Sequence, residues 1–128
     1  MTAMSESAGT GPTLSTVVGA AGPWTTVELT GELDLATAPA LLDEVAGLIA
    51  REAPPRIALE VSRVSFCDSS GINVFIRLWK RAAACGGELV LLRPPARLAD
   101  LVSRAGLDEH LRVCEALPEV PGATPEPA

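Results

Sequence analysis

The sequence predicts a single α/β domain: a mixed sheet of about four to five strands carrying about three to four helices. Three observations lead there. Short β-prone segments alternate with stretches of helical apolar periodicity. Hydrophobic residues make up 48% of the chain but aromatics only 3%, so aliphatic side chains must build the interior, as they do where helices pack on a buried sheet. The 128 residues suffice for one core and not for two substantial ones.

Leu14 to Val18 and Trp24 to Leu29 read as two strands joined by a hairpin-type connector, Gly19-Ala20-Ala21-Gly22-Pro23. A first helix follows Gly31-Glu32-Leu33-Asp34-Leu35. Thr37 is placed to cap it, and Pro39 falls in the first turn, where a missing N–H is harmless. Leu41, Leu42, Val45, Leu48 and Ile49 recur at helical spacing, ending near Arg51 before Pro54-Pro55. Arg56 to Val61 is the next strand, a buried one.

A second helix opens at Asp68-Ser69-Ser70 and runs to Ala84 or Cys85, stopped by Gly86-Gly87. Asn73, Arg77, Lys80 and Arg81 share one narrow polar face of it. The remaining arc, from Ile72 round to Ala83, is wider than packing on one sheet face requires, leaving part for neighbouring loops or a partner. Glu88 to Leu92 reads as a strand, Leu98, Leu101, Val102 and Ala105 as one side of a helix ended by Gly106, and Leu111 to Cys114 as a short last strand. The domain is expected over residues 14–116. Residues 1–13 and 117–128, rich in Gly, Pro and small side chains, are expected to be loose tails.

Composition excludes several function classes. The net charge is −6, and residues 1 to 50 hold six acids with no Lys or Arg, which argues against nucleic-acid binding and favours protein partners. The first basic residue is Arg51 and no apolar run approaches a bilayer's width, so no secretory signal or membrane span is expected and the reading is a soluble, cytoplasmic protein. Cys67, Cys85 and Cys114 are odd in number and lack Cys-x-x-Cys spacing, which argues against disulfides and zinc and leaves them as small buried hydrophobes. Glu32 and Asp34, without further acids or a histidine nearby, read as a polar loop edge rather than a metal site. No phosphate-binding glycine motif is present, and neither cofactor nor metal is expected.

The chemistry concentrates in Phe66-Cys67-Asp68-Ser69-Ser70-Gly71, where a strand pattern gives way to a helix pattern. Asp and Ser are preferred helix caps whether or not anything modifies them. One cap needs one side chain, however, and here three polar residues crowd the terminus, followed by a glycine that would let another molecule approach the backbone. The N–H groups and macrodipole of the helix end would favour a phosphate on Ser69, so the segment reads as a chemical switch rather than a catalytic centre. The rival is a hydrolase, because Cys67 to Gly71 resembles a G-x-S-x-G elbow with Cys67 in place of the first glycine. Any Ser-His-Asp arrangement would depend on His110, the sole histidine, which beside Asp108-Glu109 reads more simply as a solvated turn residue.

Taken in order, Gly31 to Pro39 and then Leu59 to Val74, with Asp68-Ser69-Ser70-Gly71 after an apolar strand, resemble the STAS domain of anti-sigma factor antagonists over most of residues 14–116. The resemblance implies a non-enzymatic partner-switching protein. Its unmodified form binds an anti-sigma factor that is a serine kinase and so frees the sigma factor. Phosphorylation then ends the binding and a serine phosphatase resets it. It further implies Ser69 as phosphoacceptor and Ser70 as secondary candidate, with Asp34, Asp68, Gly71 and Asn73 joining them at the partner-binding surface. Ile72-Asn73 departs from the Leu-Gly often found in the family. The second reading is a scaffold or sensor subunit of a larger signalling assembly, in which the site tunes packing.

Overall fold

The alternating β-prone residues on either side of Gly22-Pro23 form a hairpin. In the computed structural model, which describes residues 13–120, its strands are β1 (Leu14–Ala21) and β2 (Trp24–Leu33), antiparallel from Leu14 opposite Gly31 to Ala21 opposite Trp24. β3 (Arg56–Cys67), β4 (Glu88–Leu92) and β5 (Arg112–Cys114) add in parallel, giving one mixed five-stranded sheet in the order β1-β2-β3-β4-β5. Three helices alternate with them: α1 (Ala38–Ala50), α2 (Ser69–Ala84) and α3 (Ala96–Arg104), followed by a 3-10 turn at Leu107–Glu109. The expected α/β class is the observed one. No helix among the described residues is long and apolar enough to cross a membrane.

Period-two alternation assigns each strand residue to one of two layers. Val27 and Leu29 of β2, Ile57 and Leu59 of β3, and Leu89 and Leu91 of β4 face the helices and pack with Leu41, Val45, Phe75, Leu78 and Val102. On the opposite face Trp24, Ala58, Val90 and Leu92 form a smaller cluster closed by Val120, with Leu117 and Cys114 at its edge. The Trp24 indole N–H donates to the Pro118 carbonyl at 3.0 Å. Residues 117–120, expected as the start of a loose tail, thus lie against the sheet, because the second face needs an apolar cover. Residues 1–12 and 121–128 of the expected tails lie outside the described residues.

β2 and β3 both run further than the apolar pattern suggests, to Leu33 and Cys67 instead of Leu29 and Val61. β4 pairs only with Arg56 to Glu60 of β3, and beyond that point β3 carries the exposed Ser62, Arg63, Ser65 and Phe66 about the buried Val64. The polar Ser62 and Arg63 stand where burial is no longer required. Gly31 (φ 123°) lies within an irregularity of this extension, and a β-carbon there would meet the Thr13 carbonyl oxygen at 2.3 Å.

The paired ends deliver the chain into α1 and α2 side by side. The Asp68 N–H donates to the Leu33 carbonyl at 3.3 Å, tying the start of α2 to the end of β2. Gly71 is buried beneath this junction, where a β-carbon would lie 2.5 Å from Cys67 Sγ and 2.7 Å from Leu33 Cγ. The expectation that Gly71 opens the backbone to a partner is therefore corrected: its missing side chain lets α2 sit down on β2 and β3.

Two outcomes are expected. Val120→Ser should lower stability by about 1–2 kcal/mol and red-shift Trp24 emission when measured in a Trp79→Phe background; unchanged emission would mean that the segment does not cover Trp24. Gly71→Ala should lower stability in chemical denaturation by about 1–3 kcal/mol through overpacking against Leu33 and Cys67. An unchanged midpoint would show that the junction has room to spare.

Candidate functional site

The end of β3 places Asp68 as the N-cap of α2, in extended backbone conformation, and its Oδ1 accepts from the Ser70 N–H at 2.9 Å. The Asp68 carbonyl accepts from Gly71 N–H at 3.0 Å and Ile72 N–H at 3.2 Å. One residue therefore occupies three of the amides that open the helix. Only the Ser69 N–H among them lacks an acceptor among the described residues, so the expectation of several open donors awaiting a phosphate narrows to that one amide and the helix dipole.

With capping assigned to Asp68, the serine hydroxyls are released from it. Ser69 is exposed and Ser70 half-buried, and neither hydroxyl makes a hydrogen bond among the described residues. Asn73, one turn on, is exposed. The Cys67 thiol, half-buried just before the cap, is pushed up to about 12 by burial and by the Asp68 carboxylate, so it stays protonated and packs as an apolar group. Cys114 is also half-buried, whereas Cys85 at the far end of α2 is exposed, which corrects its assignment to the interior.

The loop between β2 and α1 forms the adjoining wall. Asp34 is half-buried, and its Oδ1 accepts from Ala36 N–H at 3.0 Å and Thr37 N–H at 3.1 Å, while its carbonyl accepts from Ala38 N–H at 2.9 Å. Thr37, expected as the cap, makes no capping bond. Its hydroxyl donates instead to the Glu32 carbonyl at 2.8 Å and accepts the Asp34 N–H at 3.0 Å. Asp34 and Asp68 thus hold corresponding positions after paired strand ends, each organising the entry to a helix.

Two apolar side chains that sequence reasoning did not assign stand out at this rim: Leu35 is 78% exposed and Phe66 is 48% exposed. The signal was present, since Leu35 interrupts a polar loop and Phe66 falls on an outward-facing position. Between α1 and α2 runs a groove of about 260 Å³ lined by Leu35, Leu42, Ser70, Asn73, Val74 and Arg77. On the other side of the junction a hollow of about 480 Å³ lies against Phe66, Cys67 and the Pro95–Leu98 turn. Ser69 falls in the chain between these two concavities.

His110 is elsewhere. Its ring stacks on Trp79 with centroids 4.6 Å apart, covering part of the wide apolar arc of α2. Trp79 lies ten residues along α2 from Ser69, about 15 Å of helix. The geometry does not bring together the Ser-His pair that a hydrolase would need. Among the described residues no group of three or more His, Cys, Asp or Glu could hold a metal ion.

Known proteins share this architecture. The family model described as "Mlab, STAS domain" matches residues 17–117. The chain is 35% identical over 87 residues to the anti-sigma-B factor antagonist of Bacillus subtilis (strain 168), covering 68% of this chain and 78% of that protein. A crystal structure of an anti-sigma factor antagonist from Mycobacterium paratuberculosis superposes with a TM-score of 0.73 at 23% identity, covering 82% of this chain and 88% of the other. SpoIIAA, solved in its unphosphorylated form and, as a Bacillus cell fate determinant, in its phosphorylated form, gives TM-scores of 0.67 and 0.63 at 22% identity in both cases. These alignments cover 77% of this chain, with 87% and 90% of the respective SpoIIAA chains. Sheet order, helix placement and the family match agree: the chain belongs to the STAS domain family.

Proposed function

We propose that this STAS domain is an anti-sigma factor antagonist regulated at Ser69. The unmodified protein binds an anti-sigma factor that is also a serine kinase, and the sigma factor is released. Transfer of a phosphoryl group to Ser69 Oγ ends the binding, and a serine phosphatase restores it. The protein acts in the bacterial cytoplasm as a binding partner and not as an enzyme. The observation that carries this reading is an exposed residue at the first position of α2, its hydroxyl freed from capping by Asp68, on a rim that also exposes Leu35 and Phe66. Similarity to the Bacillus subtilis anti-sigma-B factor antagonist supports the choice of partner class.

The switch follows from local electrostatics. A phosphoryl group adds roughly −1.5 to −2 charges. At Ser69 it would stand beside the Asp68 carboxylate, already committed to Ser70 N–H, with the Ser69 amide and the helix dipole offsetting part of it. Ser69 faces solvent, so the folded protein accommodates the group in water. An interface closed over that hydroxyl and its apolar neighbours would have to desolvate the charge without pairing it, and each ~1.4 kcal/mol of that penalty is tenfold in affinity.

Capture of a serine kinase by the unmodified protein, followed by phosphate-incorporation and binding assays with that kinase, tests the assignment. Ser69→Ala should take up no phosphate and still bind, Ser69→Asp should bind at least about tenfold more weakly, and Ser70→Ala should be phosphorylated like the parent. Full incorporation into Ser69→Ala would move the site to Ser70 or elsewhere.

A further inference from the structure

The polar stripe of α2 has one sign. From Ser69 to Ala84 the helix carries Arg77, Lys80 and Arg81 and no acid, in a chain whose net charge is −6. All three cations are exposed, and none is in an ion pair among the described residues, where Arg93, Arg104 and Arg112 each have one. Arg77 stands three and four residues from Lys80 and Arg81, a spacing at which like charges destabilise a helix. The stripe therefore concentrates positive charge on one surface with no ion pair to offset it among the described residues.

Where it stands gives it meaning. Arg77 closes one end of the groove between α1 and α2, Ser70 and Asn73 line the same wall, and Leu35 and Leu42 form the opposite, apolar wall. A ligand lying here meets hydrophobic side chains first and cations within one further turn. Nucleic acid offers no apolar face to such a groove and is repelled by the acidic remainder of the molecule. An amphipathic helix with carboxylates beside its apolar edge fits both features.

We propose that the groove between α1 and α2 receives an acidic amphipathic helix of the partner protein, its apolar side chains between Leu35 and Leu42 and its carboxylates against Arg77, Lys80 and Arg81. The inference rests on the partner-switching reading and specifies its chemistry. It also supplies a reason for the switch to act on this partner: a phosphoryl group on Ser69, next to the groove residue Ser70, places negative charge beside the docking site of an acidic segment.

The test uses the isotopically labelled full-length protein and two synthetic amphipathic helices with identical leucine faces, one with glutamates and one with lysines on the polar edge. Amide shifts of Leu35, Leu42, Asn73 and Arg77 should follow the glutamate peptide, with at least about tenfold preference over the lysine peptide, weakening as salt rises. Arg77→Glu/Lys80→Glu/Arg81→Glu should invert the preference, with Arg77→Glu alone reducing it if the triple variant does not fold, and Leu42→Ser should weaken binding while keeping its salt dependence. Absence of binding, equal binding of both peptides, or shifts outside the groove would overturn the inference. So would recruitment of the same cations by phosphatidylglycerol vesicles or single-stranded RNA in place of the peptide. No anti-sigma factor enters this experiment, so loss of peptide preference alongside intact Ser69-dependent switching refutes the groove alone, and the converse refutes the switching reading alone.

Discussion

The pairing of β2 with β3 beyond the end of β4 is the constraint on which the site depends. Thr30 to Leu33 lie beside Arg63 to Cys67, so Asp34 and Asp68 leave the sheet at neighbouring points and start α1 and α2 from the same rim. The bond from Asp68 N–H to the Leu33 carbonyl fixes that adjacency, and the empty side-chain position at Gly71 lets α2 approach closely enough for it to hold. Without the extension, the serine-bearing terminus and the Leu35 loop would belong to separate parts of the surface.

From this placement the division of labour among polar residues follows. Each helix entry is organised by an aspartate through backbone amides, Asp34 for α1 and Asp68 for α2, so these carboxylates shape the rim first and are available to a partner only at their remaining oxygen sites. Among the described residues the serines are left with free hydroxyls and the cations of α2 without ion-pair partners. A surface whose scaffold is satisfied internally and whose contact groups are not is suited to reversible docking, because binding and release need no rearrangement of the core.

Much of the fold could be read from spacing. The recurrence of Leu41, Val45 and Ile49 located α1, and all three are buried; the shift from apolar strand to Asp68-Ser69-Ser70 marked the start of α2 within a residue. What could not be read depended on neighbours distant in sequence. The outer halves of β2 and β3 looked polar because β4 pairs only as far as Glu60, which leaves Ser62, Arg63 and Ser65 exposed. Residues 117–120 looked like a tail because their cover for Trp24 is set by sheet topology. Gly71 was correctly singled out for the wrong reason, since a glycine permits close approach from either side and only packing tells which. The polar face of α2 was legible from helical spacing, which put Arg77, Lys80 and Arg81 together, and the structure adds that all three are exposed.

The central claim is that modification at Ser69 changes the docked surface and leaves the domain intact. Calorimetric titration of the captured anti-sigma factor with protein carrying phosphoserine at position 69, made by semisynthesis, tests it most directly when run beside the unmodified chain and with thermal unfolding of both. The account predicts at least about tenfold weaker binding with no appreciable loss of thermal stability. Equal affinity, or weaker binding accompanied by unfolding of the domain, would contradict it.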